Sequence, residues 1–322
     1  MVVRLEEKTK SHPDMSANAL TAAIMWIEGV GRAEKVISGE AETNGFRVGL
    51  HMMATTPYET DRHSLAVRWL VIAAAVLQVL VPVLPSLGIG ERIGSQSDDV
   101  RTLITPAGWA FLIWGPLFTG SLAFAIYQVL PRKRDDPLLA RLRWPAAGAF
   151  MGNAVWALYT QSFGLSAISA AIIIFTLACL LWTYRVFAGW EIAFTRIKRW
   201  LVVLPLSALA AWLTAATIVN IAASLRYHGI EGGDAAAAIS AGIVIIGGII
   251  GALAVARGRG NPPYALVFLW ALAGIYAAGG QQAGIVAVAT GASGLLVIAG
   301  LITGLKGAQP GTWLGSPDAQ NR

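Results

Sequence analysis

Long apolar runs alternate with short polar stretches along most of the chain. The runs occupy about residues 65–85, 107–130, 145–163, 165–187, 201–223, 236–256, 264–280 and 283–305. Each is close to the roughly 20 residues that an α-helix needs to cross the hydrocarbon core of a bilayer. Apolar residues are continuous inside the runs and do not alternate with polar ones as in a membrane β-barrel. The pattern predicts an all-α fold, a polytopic membrane helix bundle of eight spans.

The two ends of the chain lack such runs. Residues 1–63 are mixed and polar, so we expect disorder or one weak helix there. Met52 and Met53 shortly precede the first span, and translation beginning there is an alternative that the sequence leaves open. We expect the rest of the chain to divide into residues 64–223 with five spans, residues 224–306 with three spans, and a tail at residues 307–322.

Composition and charge support a membrane location and predict an orientation. Hydrophobic residues make up 56% of the chain and charged residues only 13%, about half the charged share of an ordinary soluble domain. Lysine and arginine collect in short cytoplasmic loops of membrane proteins. We therefore expect both termini on the cytoplasmic side of the cell (inner) membrane, together with the loops after the second, fourth and sixth spans. Those loops contain Arg132, Lys133, Arg134, Arg141, Arg143, Arg196, Lys198, Arg199, Arg257 and Arg259.

The spans lack the side chains of most membrane catalysts. No Asp, Glu, Lys or His lies inside a predicted span, and the four histidines all fall outside. The single cysteine, Cys179, excludes an intrachain disulfide and a cysteine-cluster metal site. The net charge of +6 comes from residues that flank apolar runs, so it does not indicate nucleic acid. We expect no enzymatic activity, no cofactor and no metal.

Twelve tryptophans are many for a chain of 322 residues. One group lies at or beyond helix ends, where an amphipathic indole favours the headgroup level of the bilayer. A second group lies deeper in the spans, where each indole N–H needs a partner and each ring offers a stacking face. The first group comprises Trp69, Trp144, Trp190 and Trp200, and the second Trp114, Trp156, Trp182, Trp212 and Trp270.

The third predicted span places polar and aromatic side chains on one stripe. Asn153, Trp156 and Thr160 follow each other at i, i+3 and i+7, a spacing that keeps residues on one helical face. Tyr159 lies beside this stripe.

Two further spans repeat this arrangement. Trp212 and Asn220 share one face of the fifth span, and Phe111, Trp114 and Phe118 share one face of the second. Three such helices together predict an aromatic cavity with a few amide groups, typical of a site for a flat apolar molecule. Ordinary helix packing is the alternative reading of any single stripe.

These residues resemble a known family. The segment Thr105 to Phe111, T-P-A-G-W-A-F, followed by Trp114 and Phe118, resembles the second-helix signature of the TspO/MBR family, the tryptophan-rich sensory or translocator proteins. Asn153 and Trp156 are similar to the N-x-x-W motif of that family's third helix.

The resemblance continues through the fourth and fifth spans. Trp182 stands where the family's fourth helix has a tryptophan, and Pro205, Trp212 and Asn220 follow its fifth-helix pattern. The chain departs from the family by Ala107 in place of a second proline and by three additional transmembrane helices after about residue 235.

The resemblance implies a five-helix TspO-like core that binds a porphyrin or another tetrapyrrole, with the loop at residues 87–104 as a lid. It implies a sensor or translocator, with the lipid bilayer and a hydrophobic small molecule as partners. A facilitative transporter of a small neutral solute without ion coupling, or a membrane scaffold, stays open as an alternative. G-x-x-x-G spacings in the last three spans leave a homo-oligomer possible. The candidate ligand-binding residues are Trp109, Phe111, Trp114, Phe118, Asn153, Trp156, Tyr159, Trp182, Trp212 and Asn220.

Overall fold

The computed structural model describes residues 57–308 and Trp313, and every regular element in these ranges is helical. The all-α prediction is thereby confirmed. The predictions for residues 1–56, the start at Met52 included, and for most of the tail lie outside the described residues. The α-helices are α1 (Pro57–Leu80), α2 (Ile93–Asp99), α3 (Trp114–Val129), α4 (Pro137–Phe163), α5 (Ala167–Ala188), α6 (Leu204–Tyr227), α7 (Ala236–Arg257), α8 (Pro262–Ile275) and α9 (Gly284–Gly307).

Tighter and wider helical segments extend several of these helices. The 3₁₀ helices are Val81–Leu87, Gly108–Ile113, Pro131–Lys133 and Gly233–Ala235. The π-helical segments are Arg199–Val203, which follows a single α-helical turn at Arg196–Lys198 and precedes α6, and Tyr276–Gly280, which follows α8.

Each of the eight predicted spans coincides with a long helical segment, but hydrophobicity alone selects seven. Seven described segments are long and apolar enough to cross a membrane. The exception is α4, which carries Asn153, Thr160 and Gln161, all buried inside the protein. A helix whose polar side chains face neighbouring helices needs less overall hydrophobicity than one facing lipid.

The helix α4 begins at Pro137, eight residues before the first residue of the predicted apolar run at about 145. Asp136 caps the helix, since its Oδ1 accepts hydrogen bonds from the backbone N–H groups of Leu138 (3.1 Å) and Leu139 (3.3 Å). Pro137 occupies the first turn, where its missing N–H costs nothing. Burial alone would raise the pKa of Asp136, but the hydrogen bond from Lys198 and those from the two backbone groups outweigh it and lower the pKa.

The three basic loops lie at one end of the bundle. Lys198 Nζ is 2.8 Å from Asp136 Oδ2, which joins the loops after α3 and α5. Arg259 donates to the carbonyl of Trp190 at 2.8 Å, which adds the loop after α7. At the other end of α4, the N–H of Glu91 donates to the carbonyl of Gln161 at 2.9 Å. The helix α4 therefore connects the two ends of the bundle.

Glycines allow close packing within the chain. A Cβ on Gly300 of α9 would lie against the backbone of Ala252 in α7, and one on Gly251 of α7 would lie against the ring of Phe268 in α8. Close helix approach through small residues is typical of membrane proteins. Two of the G-x-x-x-G spacings thus contribute to packing between helices of one chain.

We predict that α4 spans the membrane and that the basic end is cytoplasmic. Reporters active only in the cytoplasm, fused after Lys133, Arg199 or Arg259, should be active, because these positions lie at the basic end. Fusions after Asp98 or Asp234 should report the outer side. If α4 does not cross, fusions after Lys133 and Asp234 will report the same side of the membrane.

Candidate ligand pocket

A pocket lies where the beginning of the second span meets α2, α4, α6 and α8. The segment before α3 supplies one wall and α6 supplies much of the opposite one. Its lining is Ile93, Ser97, Pro106, Phe111, Trp114, Trp156, Leu165, Trp212, Ala215, Ala216, Val219, Asn220, Ala223 and Ala271. None of these described lining residues is ionisable.

Trp114 lies at the centre of the aromatic wall. Its ring stacks on that of Trp156, with centroids 6.3 Å apart and planes inclined by 29°. It also meets Trp212 edge to face at 5.8 Å, and Phe111 meets Trp212 edge to face at 6.0 Å. Such offset and edge-to-face pairs are the preferred geometries of aromatic rings. The contacts bring α3, α4 and α6 together through their rings.

Three buried donors on residues that line the pocket have no hydrogen-bond acceptor among the described residues. They are the indole Nε1 of Trp156, the indole Nε1 of Trp212 and the amide Nδ2 of Asn220. The three residues are only 6%, 2% and 3% exposed. The other amide atom of Asn220, Oδ1, accepts a hydrogen bond from Ser169 at 3.0 Å. A buried donor without an acceptor is costly, so a water or ligand that accepts a hydrogen bond from these groups would stabilise the wall.

The pocket is narrow in this conformation. Its cavity volume is about 40 Å³, room for about three water molecules. Ligand pockets usually have volumes of about 300–1,000 Å³, so this space is far smaller. A flat ligand of more than a few atoms therefore requires its walls to separate.

The segment expected to act as a lid covers one side of the pocket. It contains α2, from which Ile93 and Ser97 line the pocket. Gly90 has φ of +74°, and a Cβ there would press on the backbone of Gln161. Glycine thus permits both the turn and the close approach of this segment to the end of α4.

Five of the ten candidate residues line the pocket together, namely Phe111, Trp114, Trp156, Trp212 and Asn220. Two candidates of α4 do not. Asn153 points toward α1, where its Nδ2 lies 3.4 Å from Oε1 of Gln78. Tyr159 pairs its hydroxyl with that of Ser166 at 2.8 Å and contacts the ring of Phe163.

Three other candidates also lie outside the pocket. Trp182 is 65% exposed on the outer surface of α5, where a membrane would place lipid. Trp109 packs edge to face on Trp270 of α8 at 4.9 Å. Phe118 lies one turn beyond the pocket, although its ring touches that of Trp114 at 5.0 Å.

The contribution of α8 to the pocket was not predicted from the sequence. Ala271 lines the pocket, and Trp270 donates its indole N–H to the carbonyl of Ala110 at 2.9 Å. The N–H of Ala107 donates to the carbonyl of Gly274 at 2.9 Å. A Cβ on Gly274 would meet the side chains of Ala110 and Pro106. The small residues of α8 could have indicated this contact, because they allow the segment before α3 to approach the backbone of α8.

A family model described as TSPO-like protein matches residues 65–302. The match extends beyond the five helices on which the resemblance was based and includes α7, α8 and most of α9. Searches of curated proteins and of solved structures found no significant match.

Proposed function

The chain belongs to the TSPO-like protein family, and we propose that its aromatic pocket binds a flat hydrophobic ligand such as a tetrapyrrole. The observation that carries this proposal is the meeting of Trp114, Trp156 and Trp212 in one buried pocket. Indole faces stack on planar ring systems of many kinds, and each stacked ring is worth about 1–3 kcal/mol in nucleic-acid complexes. Binding then depends on stacking and shape, without a metal ligand from the protein.

The unpaired donors define the edge of the ligand. The N–H groups of Trp156, Trp212 and Asn220 favour a molecule whose rim carries hydrogen-bond acceptors, such as carboxylate or carbonyl oxygens. A porphyrin with propionate groups has this combination of a flat apolar ring and acceptors at its edge. A saturated hydrocarbon has neither.

Access to the pocket requires a change of its walls. Ile93 and Ser97 belong to α2, a helix of only seven residues, whereas α4, α6 and α8 are long helices packed into the bundle. We therefore infer that α2 moves when a ligand enters. This movement would give the protein two states that differ in ligand content. Two such states suit a sensor or a translocator in the cell membrane, and the proposal assigns the chain binding, not catalysis.

We expect protoporphyrin IX to quench the tryptophan fluorescence of the purified protein in a saturable manner. Replacing Trp156 with Leu removes a stacking face and keeps an apolar helix. The dissociation constant should rise by about 5- to 150-fold, equivalent to about 1–3 kcal/mol. The titration of wild type and variant in the same detergent measures this change.

Trp182→Leu is the matched control for that experiment. It removes a tryptophan from the neighbouring helix, at a position exposed on the outside of the bundle. The total fluorescence should fall, while the dissociation constant stays unchanged. Equal losses of affinity for the two variants, or no saturable quenching of the wild type, would contradict the proposed site and favour a transporter or scaffold.

We further expect Asn220→Leu to weaken protoporphyrin binding, because it removes a donor from the pocket wall. The cost should be about one hydrogen bond, about 0.5–2 kcal/mol. Asn153→Leu is the comparison, since Asn153 is equally buried but contacts Gln78 outside the pocket. A larger loss for Asn153→Leu than for Asn220→Leu would show that the ligand binds along α1 instead.

A further inference from the structure

A second cavity lies between the five-helix core and the last three spans. It is bounded by α6, by α7 and by α8, and by Ile104 from the segment before α3. Its cavity volume is about 20 Å³, room for about one or two water-sized groups, so its walls must separate before it can hold a longer chain. All eleven described residues around it are apolar. We call it the rear chamber, and its lining away from the pocket includes Ile218, Val244, Gly247, Phe268, Leu272 and Ile275.

The rear chamber is continuous with the wall of the aromatic pocket. Ala215 and Val219 of α6 and Ala271 of α8 line both spaces. Two of these three shared residues are alanines, so the partition between the two spaces is one layer of small side chains. The pocket side of this partition carries indole rings and unpaired donors, whereas the chamber side carries only hydrocarbon.

This difference separates two kinds of chemistry. A ring with polar substituents fits the pocket side, where unpaired N–H groups can donate hydrogen bonds to it. A polar group in the rear chamber would find no partner, and burying an unpaired polar group costs about 1–3 kcal/mol or more. Only an apolar group can fill the chamber without such a cost.

We propose that the rear chamber receives an aliphatic chain attached to the flat ligand, so that the protein recognises a ring system with a hydrocarbon tail. This inference rests on the proposed function, because the ring must occupy the aromatic pocket for its chain to pass between Ala215 and Ala271. The aliphatic chain of the ligand enters the space that α7 and α8 add to the five-helix core. Two of the last three spans, α7 and α8, thereby take part in selecting the ligand.

The test uses pyropheophorbide a, a flat tetrapyrrole with a single carboxyl group, as its methyl, butyl and octyl esters. Val244→Phe fills the chamber from α7 at a residue that does not line the pocket. The methyl ester should bind the wild type and this variant equally. The octyl ester should bind the variant about 5- to 150-fold more weakly, because chain and phenyl ring then compete for one space and overpacking costs about 1–3 kcal/mol. Each ester partitions into detergent equally in the two titrations. The ratio of its affinities for the wild type and for the variant therefore measures the effect of filling the chamber.

Ile246→Phe is the matched control, since Ile246 lies two residues away on the exposed surface of α7. It should leave the affinity for all three esters unchanged. Leu272→Phe fills the chamber from α8 and provides the same test if Val244→Phe does not accumulate.

Two results would overturn the inference while the proposed function stands. One is an equal effect of Val244→Phe on the methyl and octyl esters, and the other is no effect on either while both bind. Absence of saturable binding of the methyl ester to the wild type would instead overturn the proposed function, and this inference with it.

Discussion

Trp114 packs between Trp156 and Trp212, and the arrangement of the pocket depends on this contact among three rings. The three indoles come from α3, α4 and α6, so their packing fixes how these helices face one another. Inside a bilayer, apolar side chains gain little from leaving lipid for another helix, and specific packing and hydrogen bonds decide which faces meet. Large rings with defined edge-to-face geometry supply that specificity. They also leave the indole N–H groups of Trp156 and Trp212 without acceptors in the part of the chain that the structure describes.

The last three spans form part of the same unit as the core. Tyr264 of α8 pairs its hydroxyl with that of Thr214 in α6 at 2.8 Å. Asn261, just before α8, donates to the hydroxyl of Ser207 at 2.8 Å. Tyr184 of α5 donates to the carbonyl of Ala254 in α7 at 3.0 Å. Buried polar pairs of this kind specify one arrangement of helices, which agrees with a family match that continues to residue 302.

Length and hydrophobicity predicted the helices well, because a spanning helix must satisfy its backbone hydrogen bonds internally. Which neighbour each side chain of a helix faces was less predictable. Asn153 and Trp156 are three residues apart, which leaves them about 60° apart around the helix axis at 3.6 residues per turn. That angle suffices for Asn153 to face α1 while Trp156 faces the pocket. Residues that share a stripe by their spacing can therefore face different neighbours, and only some of them line one pocket.

Other features depend on partners far away in the sequence. Trp182 is exposed on the outside of its helix, whereas Trp156 is buried among neighbouring helices, and local sequence does not encode this difference. The 3₁₀ helix Gly108–Ile113 repeats every three residues, so Phe111 still lies on the same side as Trp114 and both line the pocket. Ala271 and the rear chamber require knowledge of how α8 packs on α6.

The central claim is that the cluster of Trp114, Trp156 and Trp212 is the surface that contacts a flat ligand. Fluorine NMR of protein labelled with 5-fluorotryptophan, titrated with protoporphyrin IX, tests it residue by residue, with signals assigned by single substitutions. The ring current of a bound porphyrin should shift the signals of these three residues saturably and leave those of Trp144 and Trp182 unchanged. Saturable shifts confined to Trp144, Trp182 or other tryptophans outside the cluster would contradict the account.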